Sequence, residues 1–134
     1  KITIDDIYSQ TAMNYPEVYR TEMSGETIKN LLEDVADNIF NPDPFFQQGG
    51  DMVRVGGLSY TCSPKNSIGE RISNLAMVSS GEYIDPSKKY IVGGWGSINP
   101  DVEGPAVYDL LEKYISEKKL IKPNFKNTVE IKGI

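Results

Sequence analysis

The sequence predicts an α+β domain in which two main helices pack on a mixed β-sheet, and three observations carry that prediction. Two segments place apolar residues at helical spacing, five short runs of β-forming residues alternate or cluster, and Gly/Pro-rich turns separate the two kinds. No internal repeat or low-complexity segment interrupts the order. At 134 residues the chain is long enough to bury one core, and it reads as a single domain over 1–134.

The first segment, TIDDIYSQ, offers Thr3 as an N-cap, with Asp5 and Asp6 in the first turn where a helix favours negative charge. It predicts a helix of one or two turns. EVYRTEM then reads as a strand over 17–23. The clearest element is MSGETIKNLLEDVADNIF: Ser24 caps it, and Ile28, Leu31, Leu32, Val35, Ala36 and Ile39 fall on one face. Asn41-Pro42 ends it, and NPDPFFQQGG is a loop.

Strands are predicted at 52–61 and 70–78, joined by the turn-rich SPKNSIGE, and YIVGGW adds another after SSGEYIDPSKK. Beyond the loop GSINPDVEG, Pro105 opens a second long helix, with Val107, Leu110, Leu111, Tyr114 and Ile115 as its apolar face. The tail NTVEIKGI turns Val129 and Ile131 inward as a last strand.

Charge and composition exclude several function classes. Fourteen Lys and Arg face nineteen Asp and Glu, a net charge of −5, with no basic stripe to meet a phosphate backbone, so nucleic acid is not an expected partner. Apolar runs of only a few residues do not span a membrane. The chain opens at Lys1 without an initiator methionine or a signal segment, which leaves its compartment open. The single cysteine, Cys62, excludes an internal disulfide and reads as a buried small residue. There is no histidine, so neither a Ser-His-Asp triad nor a histidine-ligated pair of metals can be assembled from this chain. An all-carboxylate Mg²⁺ or Ca²⁺ site stays open, but the acids are scattered.

One stretch stands apart. QQGGDMVRVGGLSY, residues 47–60, sets Asp51 and Arg54 between the pairs Gly49-Gly50 and Gly56-Gly57. It reads either as a bulged edge strand or as a ligand edge where an arginine grips an anion.

In their order, ITIDDIYSQTA, MSGETIKNLLEDV, GGDMVRVGGLSY, GERI and IDPSKKYIVGGW resemble the C-terminal domain of the 5'-nucleotidase family. That family shares a T-x-x-D-L/I opening, an L-x-G-x-x-L/I-K-x-x-L-E helix and a Q-V-G/S-G-L strand. Within it, EDVADNIFNPDPFFQQGGDMVRVGGLSY, supported by GGW and EGPAVYDLL, is similar to the sulfate thiohydrolase branch of the sulfur-oxidation (Sox) pathway.

The resemblance implies that the metal-bearing half lies outside this chain. Family members join an N-terminal metallophosphoesterase domain, holding two metal ions, to a C-terminal domain that supplies substrate contacts across a cleft. In the thiohydrolase branch the ions are two manganese ions. The reaction releases sulfate from a thiosulfate unit on a cysteine of the SoxY carrier (the SoxYZ complex), in the periplasm. On that reading the chain holds no catalytic residue, metal or cofactor of its own and is inactive alone.

Two departures from the nucleotidase pattern matter. Met52 stands at one of the two positions where nucleotidases stack adenine on an aromatic ring, and the late loop PDVEGPAVY offers no clear second ring. Arg54 stands at the family's glutamine, exchanging a neutral amide for a planar cation suited to a sulfonate or sulfate. Arg54 is therefore the leading substrate-binding candidate, against a salt bridge to Asp51 or Glu22. Asp51 either orients that guanidinium or caps the bulge. Trp95 either anchors the core or walls a channel for the carrier peptide. Tyr15 faces the cleft or packs, Phe45 and Phe46 could cover the cleft mouth, and Asn99 lies in the loop where the family places substrate contacts. The alternatives to a thiohydrolase domain are a nucleotide or phosphoester domain and a non-enzymatic interaction module.

Overall fold

Helix α1 (Ile4–Thr11) begins with a reciprocal cap. The Thr3 backbone N–H and hydroxyl both donate to Asp6 Oδ2, at 2.8 and 2.7 Å, while Asp6 N–H donates to Thr3 Oγ1 at 3.2 Å. The T-x-x-D-I opening is thus a capping box followed by a buried apolar residue, Ile7. These are features of a computed structural model that describes residues 1–11, 14–96, 101, 103–122 and 128–133.

The other elements are β1 (Val18–Ser24), α2 (Gly25–Phe40), a 3₁₀ turn (Pro44–Phe46), β2 (Leu58–Cys62), β3 (Ile72–Met77), β4 (Lys89–Trp95), α3 (Val107–Lys118) and β5 (Val129–Ile131). The class is α+β, as the sequence predicts. The strands divide into two sheets, a two-stranded β1-β4 and a three-stranded β3-β2-β5. The chain forms two compact units: residues 1–22 with 91–124, and residues 23–90 with 125–134.

In the first unit α1 packs on α3, burying Ile7 and Val107, with the Tyr8 and Tyr108 rings 5.0 Å apart and tilted by 32°. Pro105 does not open α3. Ala106 is its N-cap and forms an isolated antiparallel bridge with Glu17: Val18 N–H donates to Pro105 O at 2.9 Å, and Val107 N–H to Pro16 O at 2.8 Å. Gly104 is needed there because a Cβ would collide with the Val18 carbonyl. Of the apolar face expected for α3, Val107 is buried, Leu111 and Ile115 are half-buried, and Leu110 and Tyr114 are exposed.

The second unit is built on α2. Ser24 Oγ accepts from Thr27 N–H at 3.0 Å, the cap the sequence predicts. Ile28, Leu32 and Ala36 are buried, but Leu31 is exposed, and the buried stripe instead takes in Glu33. Strand β2 pairs antiparallel with β3 and parallel with β5, so Tyr60 and Cys62 stand opposite Val129 and Ile131. An irregularity in the β2–β3 register is accommodated by Asn74, whose φ of 52° is held by a 3.2 Å bond from its amide to Thr61 Oγ1. The strand expected over 52–61 is confined to Leu58–Cys62, and residues 52–55 run without ladder bonds.

Candidate functional site

Residues 49–57, which carry Asp51 and Arg54, are tied down at both ends and free between. Gly49 N–H donates to Asn38 O at 3.2 Å on the last turn of α2. At the other end Gly57 sits at φ 82°, a conformation glycine adopts without strain, and its carbonyl accepts from Val78 N–H at 2.9 Å. A Cβ on Gly50, Gly56 or Gly57 would meet nothing within 4 Å, so of the two glycine pairs only Gly57 is required by backbone geometry.

Arg54 projects from this segment, exposed, and among the described residues its guanidinium makes no ion pair. The expected salt bridge to Asp51 is absent among the described residues. Asp51 is exposed three residues away and is not paired with it. Met52 and Arg54 line a cleft of about 340 Å³ with Phe40, Tyr60, Val129 and Ile131. Cys62 lies in its floor and is buried as the sequence predicts. Burial, and then the negative charge of Glu33, push its thiol above the ordinary range, so it is a poor nucleophile.

Tyr15 and Trp95 belong to the other unit, where Gly96 N–H donates to Tyr15 O at 3.0 Å and brings the two residues' backbones together. Trp95 is 50% exposed and Tyr15 49%, so neither is the core residue that packing alone would make it. Phe45 is 91% exposed on a turn braced by Asp43 Oδ1, which accepts from Phe45 N–H at 2.9 Å. Asn99 lies outside the described residues.

The polar network that sequence reasoning missed adjoins the cleft through Phe40 and Pro64. Glu33 is 3% exposed, and its carboxylate accepts three backbone N–H bonds, from Gly69 at 2.9 Å, Arg71 at 3.2 Å and Ile72 at 2.7 Å. Arg71, 2% exposed, donates to Asp37 at 2.5 Å, to Pro64 O at 3.3 Å and to Phe40 O at 3.4 Å. The Arg71 bond, followed by one from Asn41, holds the Asp37 carboxyl below its usual range. Lys29 reaches the Gly69 carbonyl at 3.0 Å. One signal was present in the sequence: an acid directly after Leu32, three residues before Ala36, falls on the apolar face of α2. The network positions the loop 63–71, whose Pro64 lines the cleft.

Among the described residues no three His, Cys, Asp or Glu side chains converge as a metal site, and no helix is long and apolar enough to cross a membrane.

The fold is that of a known family of domains. Residues 1–98 match the 5'-nucleotidase, C-terminal domain family, and the chain belongs to it. The Thermus thermophilus sulfate thiohydrolase SoxB, solved in complex with glycerol, is similar at 34% identity and a TM-score of 0.87, over 99% of this chain and 26% of that one. A Staphylococcus aureus protein assigned as a 5'-nucleotidase (17% identity, TM-score 0.70, 97% and 30% coverage) shares the fold. So does the Haemophilus influenzae NAD nucleotidase (18%, 0.69, 97% and 26%). The chain thus spans between a quarter and a third of the length of these structures. Among curated proteins no sequence matches.

Proposed function

We propose that this chain is the substrate-binding domain of a SoxB-type sulfate thiohydrolase, acting as one functional domain beside an N-terminal metallophosphoesterase domain. The substrate is a thiosulfonate borne on a cysteine of a SoxY carrier in the periplasm. Water adds to the terminal sulfonate sulfur, the S–S bond breaks, sulfate and protons leave, and the carrier retains a persulfide. Two manganese ions held by the N-terminal domain would supply Lewis-acid activation for that step.

Arg54 holds the sulfur oxyanion, and its unpaired, exposed guanidinium is the observation that carries this reading. Its planar fork can take two oxygens at once. Of the other candidates, Asp51 shares the Arg54 segment, and Tyr15, Trp95 and Asn99 are each proposed as contacts of the carrier peptide. The 34% identity to SoxB, about twice that to the nucleotidases, favours a sulfur substrate over a nucleotide, as does Met52 in place of a stacking ring.

The test is Arg54→Gln in the full-length protein, with carrier-bound thiosulfonate as substrate. A charge-assisted bond of roughly 1.5–3 kcal/mol predicts a kcat/KM lower by about tenfold to a hundredfold, with an unchanged melting temperature. Unchanged turnover would remove Arg54 from the site, and saturable binding of AMP by the isolated chain would favour the nucleotidase reading.

A further inference from the structure

The proposed function assigns Arg54 an oxyanion but leaves open what the rest of the cleft receives. Its lining is mostly apolar, from Phe40, Val53, Val55, Pro64, Val129 and Ile131, with Tyr60 and Thr128 among them. Val53 is 41% exposed and Ile131 56%, so apolar surface stands open to water beside a cation without a counter-ion. Two features built separately meet here. The aliphatic pair Val129 and Ile131 follows from the parallel register of β2 and β5, which places Val129 beside Tyr60 and Ile131 beside Cys62. The cation comes from the ladder-free segment that Gly49 and Gly57 anchor.

We propose that the cleft binds amphiphilic anions, with a sulfate- or sulfonate-type head on Arg54 and an unbranched aliphatic stem along Val53, Val55, Val129 and Ile131. A charged head alone would gain nothing from these walls, and an uncharged tail would leave the guanidinium unsatisfied. A strongly polar ring such as a ribose would lose its hydrogen bonds to water against aliphatic walls. Only a ligand that combines the two parts uses both. The inference rests on the proposed function for the head group alone and adds the chemistry of the group behind it.

Calorimetry and methyl NMR on the 134-residue chain test this with methyl, butyl and hexyl sulfate below their micelle-forming concentrations. Each fully buried methylene should tighten binding about fourfold, so hexyl sulfate should bind at least roughly tenfold better than butyl sulfate. Shifts should concentrate on the methyl groups of Val53, Val55, Val129 and Ile131. Arg54→Gln should weaken hexyl sulfate about tenfold or more, while Ile131→Thr should weaken hexyl but not methyl sulfate.

Equal affinity for all three sulfates would overturn the stem. Hexyl sulfate binding that survives Arg54→Gln, or competition by hexyltrimethylammonium as effective as by hexyl sulfate, would overturn the head. The thiohydrolase reading fails separately. If Arg54→Gln abolishes hexyl sulfate binding by this chain yet leaves turnover of the full-length protein intact, the cleft stands as a binding site and the catalytic assignment falls.

Discussion

Two regions of the second unit carry charged residues in the patterned stretches of the sequence, and the structure treats them in opposite ways. Around α2, Glu33, Asp37 and Arg71 are engaged by backbone N–H groups, carbonyls and each other, and they lock the loop 63–71 to the helix. Along residues 49–57, Asp51 and Arg54 stand exposed and unpaired on a segment fastened only at its ends. A patterned charge is therefore no guide to function by itself. The charge that the fold consumes is structural, and the charge that it leaves open is available to a ligand.

The largest effect expected from this contrast is at Glu33. Glu33→Ala strands the buried N–H donors of Arg71 and Ile72 and frees that of Gly69, so stability should fall by about 2–5 kcal/mol. Urea denaturation followed by circular dichroism measures it. A loss below about 1 kcal/mol would mean that water or a rearranged loop satisfies those donors.

Next comes Gly25, in the family's helix motif. A Cβ there would collide with the Asp85 carbonyl and come within 2.6 Å of Ile84 Cγ2. Gly25→Ala should cost about 1–3 kcal/mol, although alanine is the better helix former, and the same denaturation experiment reads it.

A smaller effect is the acid sensitivity of the lock. The native pKa of Asp37 is depressed by Arg71 and Asn41. Its contribution is therefore fully present above the unfolded value and lost as pH falls through the native one. Melting temperatures should hold level near neutrality and decline below about pH 4, and Asp37→Asn should lower the plateau and flatten that decline. An identical slope in the variant would assign the acid sensitivity to other carboxylates, such as Asp85, which is depressed by its Ser87 bonds.

The smallest stability effect is the one on which the comparison turns. Arg54→Gln should change stability by no more than about 0.5 kcal/mol, as for an exposed side chain without partners. A larger loss would return Arg54 to the structural class with Arg71.

Much of the fold was legible because it rests on local rules. Thr3 and Asp6 form the cap that their spacing predicts, Ser24 caps α2, and Ile28, Leu32 and Ala36 are buried on the face that the 3.6-residue period marks. What misled was propensity without context. Met52–Val55 is rich in strand formers yet takes no ladder, because β2 finds its partners in β3 and β5 only from Leu58 onward. Pro105 resembles a helix opener, but the carbonyl of Pro105 is engaged by Val18 and the helix waits until Val107.

By itself the sequence determined the α+β class, the family, the helices with their caps, and the candidacy of Arg54, since propensity, capping and motif order act over a few residues at a time. Only the tertiary structure decided that the strands form two sheets, that Glu33 is buried under three backbone donors, and that Arg54 has no counter-ion among the described residues. Each of those depends on which distant segment comes to lie beside the residue. Glu33 and Arg71 are charges in the chain like Asp51 and Arg54, and what separates them is that 38 residues away along the chain the backbone of one loop returned to meet Glu33. Among the described residues no acid returned to meet Arg54.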